Sequence, residues 1–198
     1  MKLQDLFEMP QLIGEVDFNL DERSNNRKVC ISLSSNSKVM FNYQNVVVKK
    51  SGKYVYAERD DGLMPYLIET ERKKISAVGR EAMIQRGLWR DSAISAVAGL
   101  PSKVFFEYLL DQTGLIASDR KQSPDGQRFW ILRISEALDK GLFVYLLNAT
   151  GPRELTRVHN RVQLDAMHGE IWGTTHNFQT KLLLILFARR KPRHSCRG

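Results

Sequence analysis

Cysteine is nearly missing from this chain: Cys30 and Cys196 are the only two among 198 residues. Lying near opposite ends, they match neither a zinc-ligand spacing nor a disulfide framework, so a reducing cytoplasm is the expected home. Histidine is also sparse. His159, His168, His176 and His194 contain no i, i+4 helical pair, and no metal site is expected. Long apolar runs are lacking too. The N-terminal MKLQDLFEMPQL has no unbroken apolar core of the kind a signal peptide needs. The longest apolar stretch, Leu182 to Ala188, is far too short to cross a bilayer. There is no internal repeat and no low-complexity tract.

What remains has ordinary globular proportions, 42% hydrophobic and 26% charged. The length suits one good-sized domain or two very small ones. Thirty basic side chains against 22 acidic ones leave a net charge of +8, which favours polyanions or acidic surfaces as partners. The end of the chain concentrates that charge: Arg189, Arg190, Lys191, Arg193 and Arg197 have no acidic neighbour, so this tail is a candidate nucleic-acid contact. A solvated terminus without a partner is the plain alternative. The expected organisation is an N-terminal arm over residues 1–20, a domain over 21–188, and the basic tail over 189–198.

Local patterning predicts the elements. Leu3, Leu6 and Phe7 share a helical face in the arm, ended by Pro10. Asp21 to Lys28 is polar and reads as a surface loop. The alternation of Val29 to Leu33 predicts a strand, as do Val39 to Tyr43, Val46 to Lys50, Lys53 to Ala57 and Tyr66 to Thr70. Ser51-Gly52 and Asp60-Asp61-Gly62 supply turns between them. Ser76 to Leu88 is ambiguous. From Ser102 to Asp111, Val104, Phe105, Tyr108 and Leu109 form one helical stripe. Leu115 to Ala117 reads as a short buried strand. Ser123 and Pro124 open a helix with Trp130, Ile134 and Leu138 on one face, and Gly141 ends it. Leu142 to Leu147 and Lys181 to Ala188 read as buried strands, with helices over Pro152 to His159 and Arg161 to Ile171. The order predicts an α/β fold: a mixed central sheet, antiparallel in its N-terminal half, with helices on both faces.

The chemistry centres on Ala98 to Trp130. A glycine-containing turn feeding a helix offers backbone N–H groups suited to a phosphate or pyrophosphate, and here that turn is at Gly99. Phe105, Tyr108, Phe129 and Trp130 resemble a base-stacking platform, but helical spacing favours a buried core. Trp172 and Phe178 beside His176 are less regular and can line a cleft or simply pack. Ser118 has no base at an identifiable spacing and is no nucleophile candidate. Asp119 fits a loop or cap role.

The stretch Ala96-Val-Ala-Gly99-Leu-Pro101-Ser-Lys resembles the pyrophosphate loop of the GNAT family of acyl-CoA-dependent N-acyltransferases. In that family a strand runs into an Arg/Gln-x-x-Gly-x-Gly/Ala loop directly before a helix. Ile116-Ala-Ser118-Asp119 and Ser123-Pro-Asp-Gly-Gln-Arg128-Phe-Trp130 are similar to divergent GNAT-like proteins of tailed bacteriophages. The resemblance spans residues 39 to 188 in outline. It implies acetyl-CoA as cofactor, held by Gly99, Leu100, Ser102 and Lys103, and an amine of a macromolecule in the host cytoplasm as acceptor. It also implies a carboxylate base and a tyrosine acid, for which Glu81 and Tyr145 are the candidates. Two positions depart from the family pattern. Ala96 stands where a basic or amide side chain is expected, leaving Arg90 or Lys103 as substitutes. Pro101 replaces the small second residue and removes one N–H donor. The other expectation is therefore a catalytically inactive domain of the same fold that binds a protein or nucleic acid.

Overall fold

A computed structural model describes residues 20–91, 93–118, 124–148, 154–172 and 182–188. The chain divides into two compact units, Met1–Arg72 with Ile84–Phe105, and Lys73–Met83 with Phe106–Gly198. Both combine β-sheet with helices, so the α/β class expected from the sequence is the one observed.

The first unit opens with helix α1 (Arg23–Ser34), and the chain continues as a meander of β1 (Lys38–Tyr43), β2 (Val46–Ser51), β3 (Tyr54–Arg59), β4 (Tyr66–Ile75) and β5 (Arg80–Arg90), with the end of β4 and the start of β5 in the second unit. These strands lie side by side in chain order, and the pairs from β1 to β4 are antiparallel. Gly52 closes the β2–β3 hairpin at φ 54°, a left-handed angle that a side chain resists. In β3 every residue from Tyr54 to Ala57 is buried, so both faces of this strand are covered. The ambiguous stretch from Ser76 resolves into a tight turn at Gly79 and the long strand β5.

Helix α1 corrects two expectations, the loop over 21–28 and the strand over 29–33. A strand would bury Val29, Ile31 and Leu33 together. Instead Asn26, Val29, Cys30 and Leu33 are buried, and Ile31 is 70% exposed. That stripe at i, i+3, i+4 and i+7 is helical. The polar run before it belongs to the same helix because Asn26 is a core residue. Its amide donates to the Leu20 and Met64 carbonyls at 3.1 and 2.9 Å and accepts from the Met64 N–H at 2.7 Å. Val29, Cys30 and Leu33 then join Tyr54, Tyr56, Met64, Leu67 and Trp89 in one apolar cluster.

After a 3-10 turn over Ser95–Val97, helix α2 (Leu100–Lys103) starts at Gly99. It runs without a break into a π-helical stretch, Val104–Leu109, and on to α3 (Leu110–Thr113). The predicted helix is present, but its middle is underwound into the wider i→i+5 pattern. Val104, Phe105, Phe106, Leu109 and Leu110 are all buried. This apolar band is broader than the predicted stripe, in which Tyr108 is only half-buried.

In the second unit the order runs from the start of β5 through β6 (Leu115–Ser118), β9 (Leu182–Ala188) and β7 (Phe143–Asn148) to β8 (Leu155–Val158). Strand β9 is antiparallel to both β6 and β7, which therefore run in the same direction. An unbroken apolar run suits a strand with neighbours on both edges. Helix α4 (Pro124–Asp139) packs on β7, burying Trp130, Ile134 and Ala137. Gly141, at φ 67°, ends it as predicted. The helix expected over 152–159 is not formed at its described end. Leu155–Val158 pairs with β7 as an edge strand with three exposed side chains and only Val158 buried. Such a short, half-solvated strand carries almost no periodic signal. The helix predicted over 161–171 is two short ones, α5 (Arg161–Ala166) and α6 (His168–Trp172), with Asn160 capping α5 through the Gln163 N–H at 2.9 Å.

Candidate functional site

The turn at Gly99 is built by three local choices. The Ala98 N–H bonds back to the Ser95 carbonyl at 2.8 Å and closes the 3-10 turn. Gly99 then takes φ 77° and ψ −19°, a left-handed geometry that swings the chain into the helix. Pro101 sits in the first helical turn, where its missing donor removes no helical bond. The Lys103 N–H closes the first turn on the Gly99 carbonyl at 3.1 Å. Gly99, at the cap position, has no side chain with which to close the helix start, and the positive end of a helix attracts anions.

Four residues were expected to act here together, and the fold brings them to one helix start. Gly99 supplies the turn. Leu100 anchors it and is fully buried, backbone included. Ser102 and Lys103 are half-buried. The Lys103 ammonium lies 5.6 Å from the centre of the Phe41 ring, a cation–π contact that keeps the charge beside the turn. Ala96 is buried and Arg90 exposed.

Tyr43 is the residue that sequence reasoning missed. Its hydroxyl donates to the Ala98 carbonyl at 2.6 Å, and it would lie 2.9 Å from a Cβ placed on Gly99. Glycine is therefore required twice at this position, by its backbone angle and by the phenol beside it. Nothing in the chain's patterning marks Tyr43, because β1 meets residues 98–103 across more than fifty positions of sequence.

Glu81 and Tyr145 belong to the second unit. Glu81 is exposed near the start of β5. Tyr145 is half-buried on β7, opposite Arg157 of β8 and Leu186 of β9. Ser118 is buried at the end of β6. Of the aromatic stripe, Phe105 and Trp130 are core residues and Phe129 is half-buried, meeting Trp130 edge to face at 6.0 Å. Residues 1–19 of the N-terminal arm, Asp119, Ser123, His176, Phe178, His194 and the tail residues Arg189, Arg190, Lys191 and Arg193 lie outside the described residues. Among the described residues no group of His, Cys, Asp and Glu could hold a metal ion, and no helix is long and apolar enough to cross a membrane.

A second polar cluster sits beneath the C-terminal end of α1. The Glu58 carboxylate accepts from Lys49 at 2.8 Å and from the Ser34 hydroxyl at 2.7 Å, and Ser34 also meets the Tyr56 hydroxyl at 3.0 Å. Burial alone would raise the Glu58 pKa, but the bonds from Lys49 and Ser34 outweigh it and hold the carboxyl below its usual value. The Cys30 thiol is pushed up to about 12, by burial first and then by the charge of Glu58. It is a protonated, buried thiol and not a nucleophile. This cluster is a packing device under a helix end.

No protein-family model, curated protein or solved structure matches the chain. The functional reading therefore rests on the geometry of the Gly99 turn.

Proposed function

We propose that the chain is a GNAT-like, acyl-CoA-dependent N-acyltransferase whose Gly99 turn holds the cofactor diphosphate. One observation carries this reading: a left-handed glycine opens a helix with no side-chain cap and a lysine in its first turn. The exposed Gly99 amide and the Lys103 charge suit one phosphate group, while Pro101 limits how many consecutive donors the loop presents. The transfer itself asks little of a protein. An amine attacks the thioester carbonyl, a C–N bond forms as the C–S bond breaks, the amine gives up a proton and the thiolate takes one. The resemblance names Glu81 and Tyr145 as base and acid, and both belong to the second unit. The reading stands on the turn, because neither side chain forms a hydrogen bond or ion pair among the described residues.

Thermal unfolding with and without acetyl-CoA tests it. Cofactor at a hundred times its dissociation constant stabilises the folded state by about 2.7 kcal/mol, and Lys103→Gln reduces that shift. An unchanged melting temperature at millimolar acetyl-CoA would overturn the reading.

Tyr43 favours a second reading, a catalytically silent domain that binds another macromolecule. Its ring and Phe41 bring β1 against the turn, occupying space next to Gly99. A protein stabilised by nucleic acid and indifferent to acetyl-CoA would meet that expectation.

A further inference from the structure

Between Glu22 and Glu58 the chain carries no acidic residue at all, but it carries Arg23, Arg27, Lys28, Lys38, Lys49, Lys50 and Lys53. The fold treats these cations differently. Lys49 and Lys53 are neutralised by Glu58 and Glu69 at 2.8 and 2.6 Å. Arg23, Arg27 and Lys28 are exposed on α1, and none of them forms an ion pair among the described residues. The nearest acid in sequence, Glu22, is held by Ser24 and by Asn25. The buried stripe Asn26, Val29, Cys30 and Leu33 fixes which side of α1 faces the core, and so commits these three cations to solvent.

We propose that the outer face of α1 in the first unit is a contact surface for the phosphate backbone of nucleic acid. The spacing fits. Arg23 and Arg27 are one helical turn apart and Lys28 follows, so three charges fall within about 7.5 Å of helix axis at ~1.5 Å per residue. A duplex presents one phosphate per about 1.7 Å of its axis. Composition argues against the other anionic partners. A bilayer surface needs an apolar face to insert, and Ile31 is the one exposed large hydrophobic residue of α1. A protein interface of any strength needs aromatic or apolar anchors, and this face has no aromatic residue. Guanidinium groups match phosphate oxygens. Backbone contact of this kind carries affinity without reading sequence.

This inference goes beyond the acyltransferase reading, does not depend on it, and gives the binding-module reading a defined surface. The test uses the full chain, with fluorescein-labelled DNA and RNA duplexes of about 20 base pairs, chosen to span the face. Anisotropy titrations run across a series of salt concentrations, for the parent and for R23Q/R27Q/K28Q. The parent binds at least one duplex, and the variant binds it at least tenfold more weakly. If each cation displaces one counterion, the slope of log K against log salt shrinks by about 2.7 units. The DNA and RNA arms tell the two sources of the backbone apart. Circular dichroism and an unchanged response to acetyl-CoA, whichever response the parent gives, show that the variant is folded. The proposal fails if the parent binds neither duplex, or if the variant keeps the parent's affinity and slope. It also fails if binding disappears only on removal of residues 189–198, or if anionic vesicles or an acidic peptide bind α1 and the duplexes do not.

Discussion

Single side chains decide more here than their number suggests. Gly99 meets two independent demands, and they can be separated by measurement. Gly99→Ala places a side chain at φ 77° and drives its Cβ to 2.9 Å from the Tyr43 hydroxyl. The left-handed angle alone costs about 1–2 kcal/mol. Denaturant titration should show a larger loss than that in the parent, falling back toward that range when Tyr43→Ala removes the phenol. An equal loss in both backgrounds would mean that Tyr43 does not crowd the turn. Asn26 offers a second case. Its three hydrogen bonds satisfy backbone groups in the core, and truncation to alanine leaves them unpaired at about 1–3 kcal/mol each. Asn26→Asp keeps the acceptor for Met64 but turns the donor into an anion facing two carbonyl oxygens. That variant should be less stable at neutral pH than at acid pH, where the carboxyl is protonated, relative to the parent at each pH.

Two groups at this scale link stability to pH in opposite directions. Glu58 is held below the usual carboxylate value in the fold, so its contribution is present above the unfolded-state pKa of about 4.3. It is lost as pH falls through the lowered value. Cys30 is raised from 9.0 to about 12, so its contribution is complete below 9.0 and fades as pH rises toward 12. Denaturation of Glu58→Gln should show a flatter acid limb than the parent, and Cys30→Ala a flatter alkaline limb. If either limb is unchanged, that group does not report on folding.

Among the elements, α1 is the sharpest test of the fold. Arg27 is exposed, so Arg27→Pro probes backbone alone. In the loop that composition suggested, proline would be tolerated, whereas inside α1 it removes a helical bond and clashes with the preceding turn. The expected cost is about 3 kcal/mol or more, read as a shift in denaturation midpoint. The strands β1 to β4, the helix after Gly99, α4 and its glycine stop were legible, because strong periodicity and turn residues coincide in each, whereas the stretch that became β5 was ambiguous. Helix α1 was not, because Val29, Ile31 and Leu33 satisfy a strand pattern while the helical stripe recruits a polar residue, Asn26. Strand β8 was not, because four mostly exposed residues become a strand only by pairing with β7. In the candidate site, the glycine turn and Lys103 were readable from sequence. Tyr43 was not, since its place depends on a tertiary contact.

For the whole molecule the governing quantity is the excess of thirty cations over 22 anions. Like charges on one folded chain repel, and added salt screens them over about 10 Å at 0.1 M. Scanning calorimetry should therefore show the melting temperature rising between low and moderate ionic strength. A flat or falling trend would mean that local pairs such as Lys49–Glu58 and Lys53–Glu69 already balance the field.

The primary structure alone determined the α/β class and the positive sign of the charge, because periodicity and residue counts are properties of the chain. It also determined the sharp turn at Gly99, because glycine is the residue that accepts a left-handed angle without strain. The tertiary structure decided which face of α1 is buried, which of its cations form no ion pair among the described residues, and what stands against Gly99. Those outcomes depend on which distant segments meet: Asn26 becomes a core residue only when Met64 arrives, and Tyr43 reaches the turn only when β1 is folded against it.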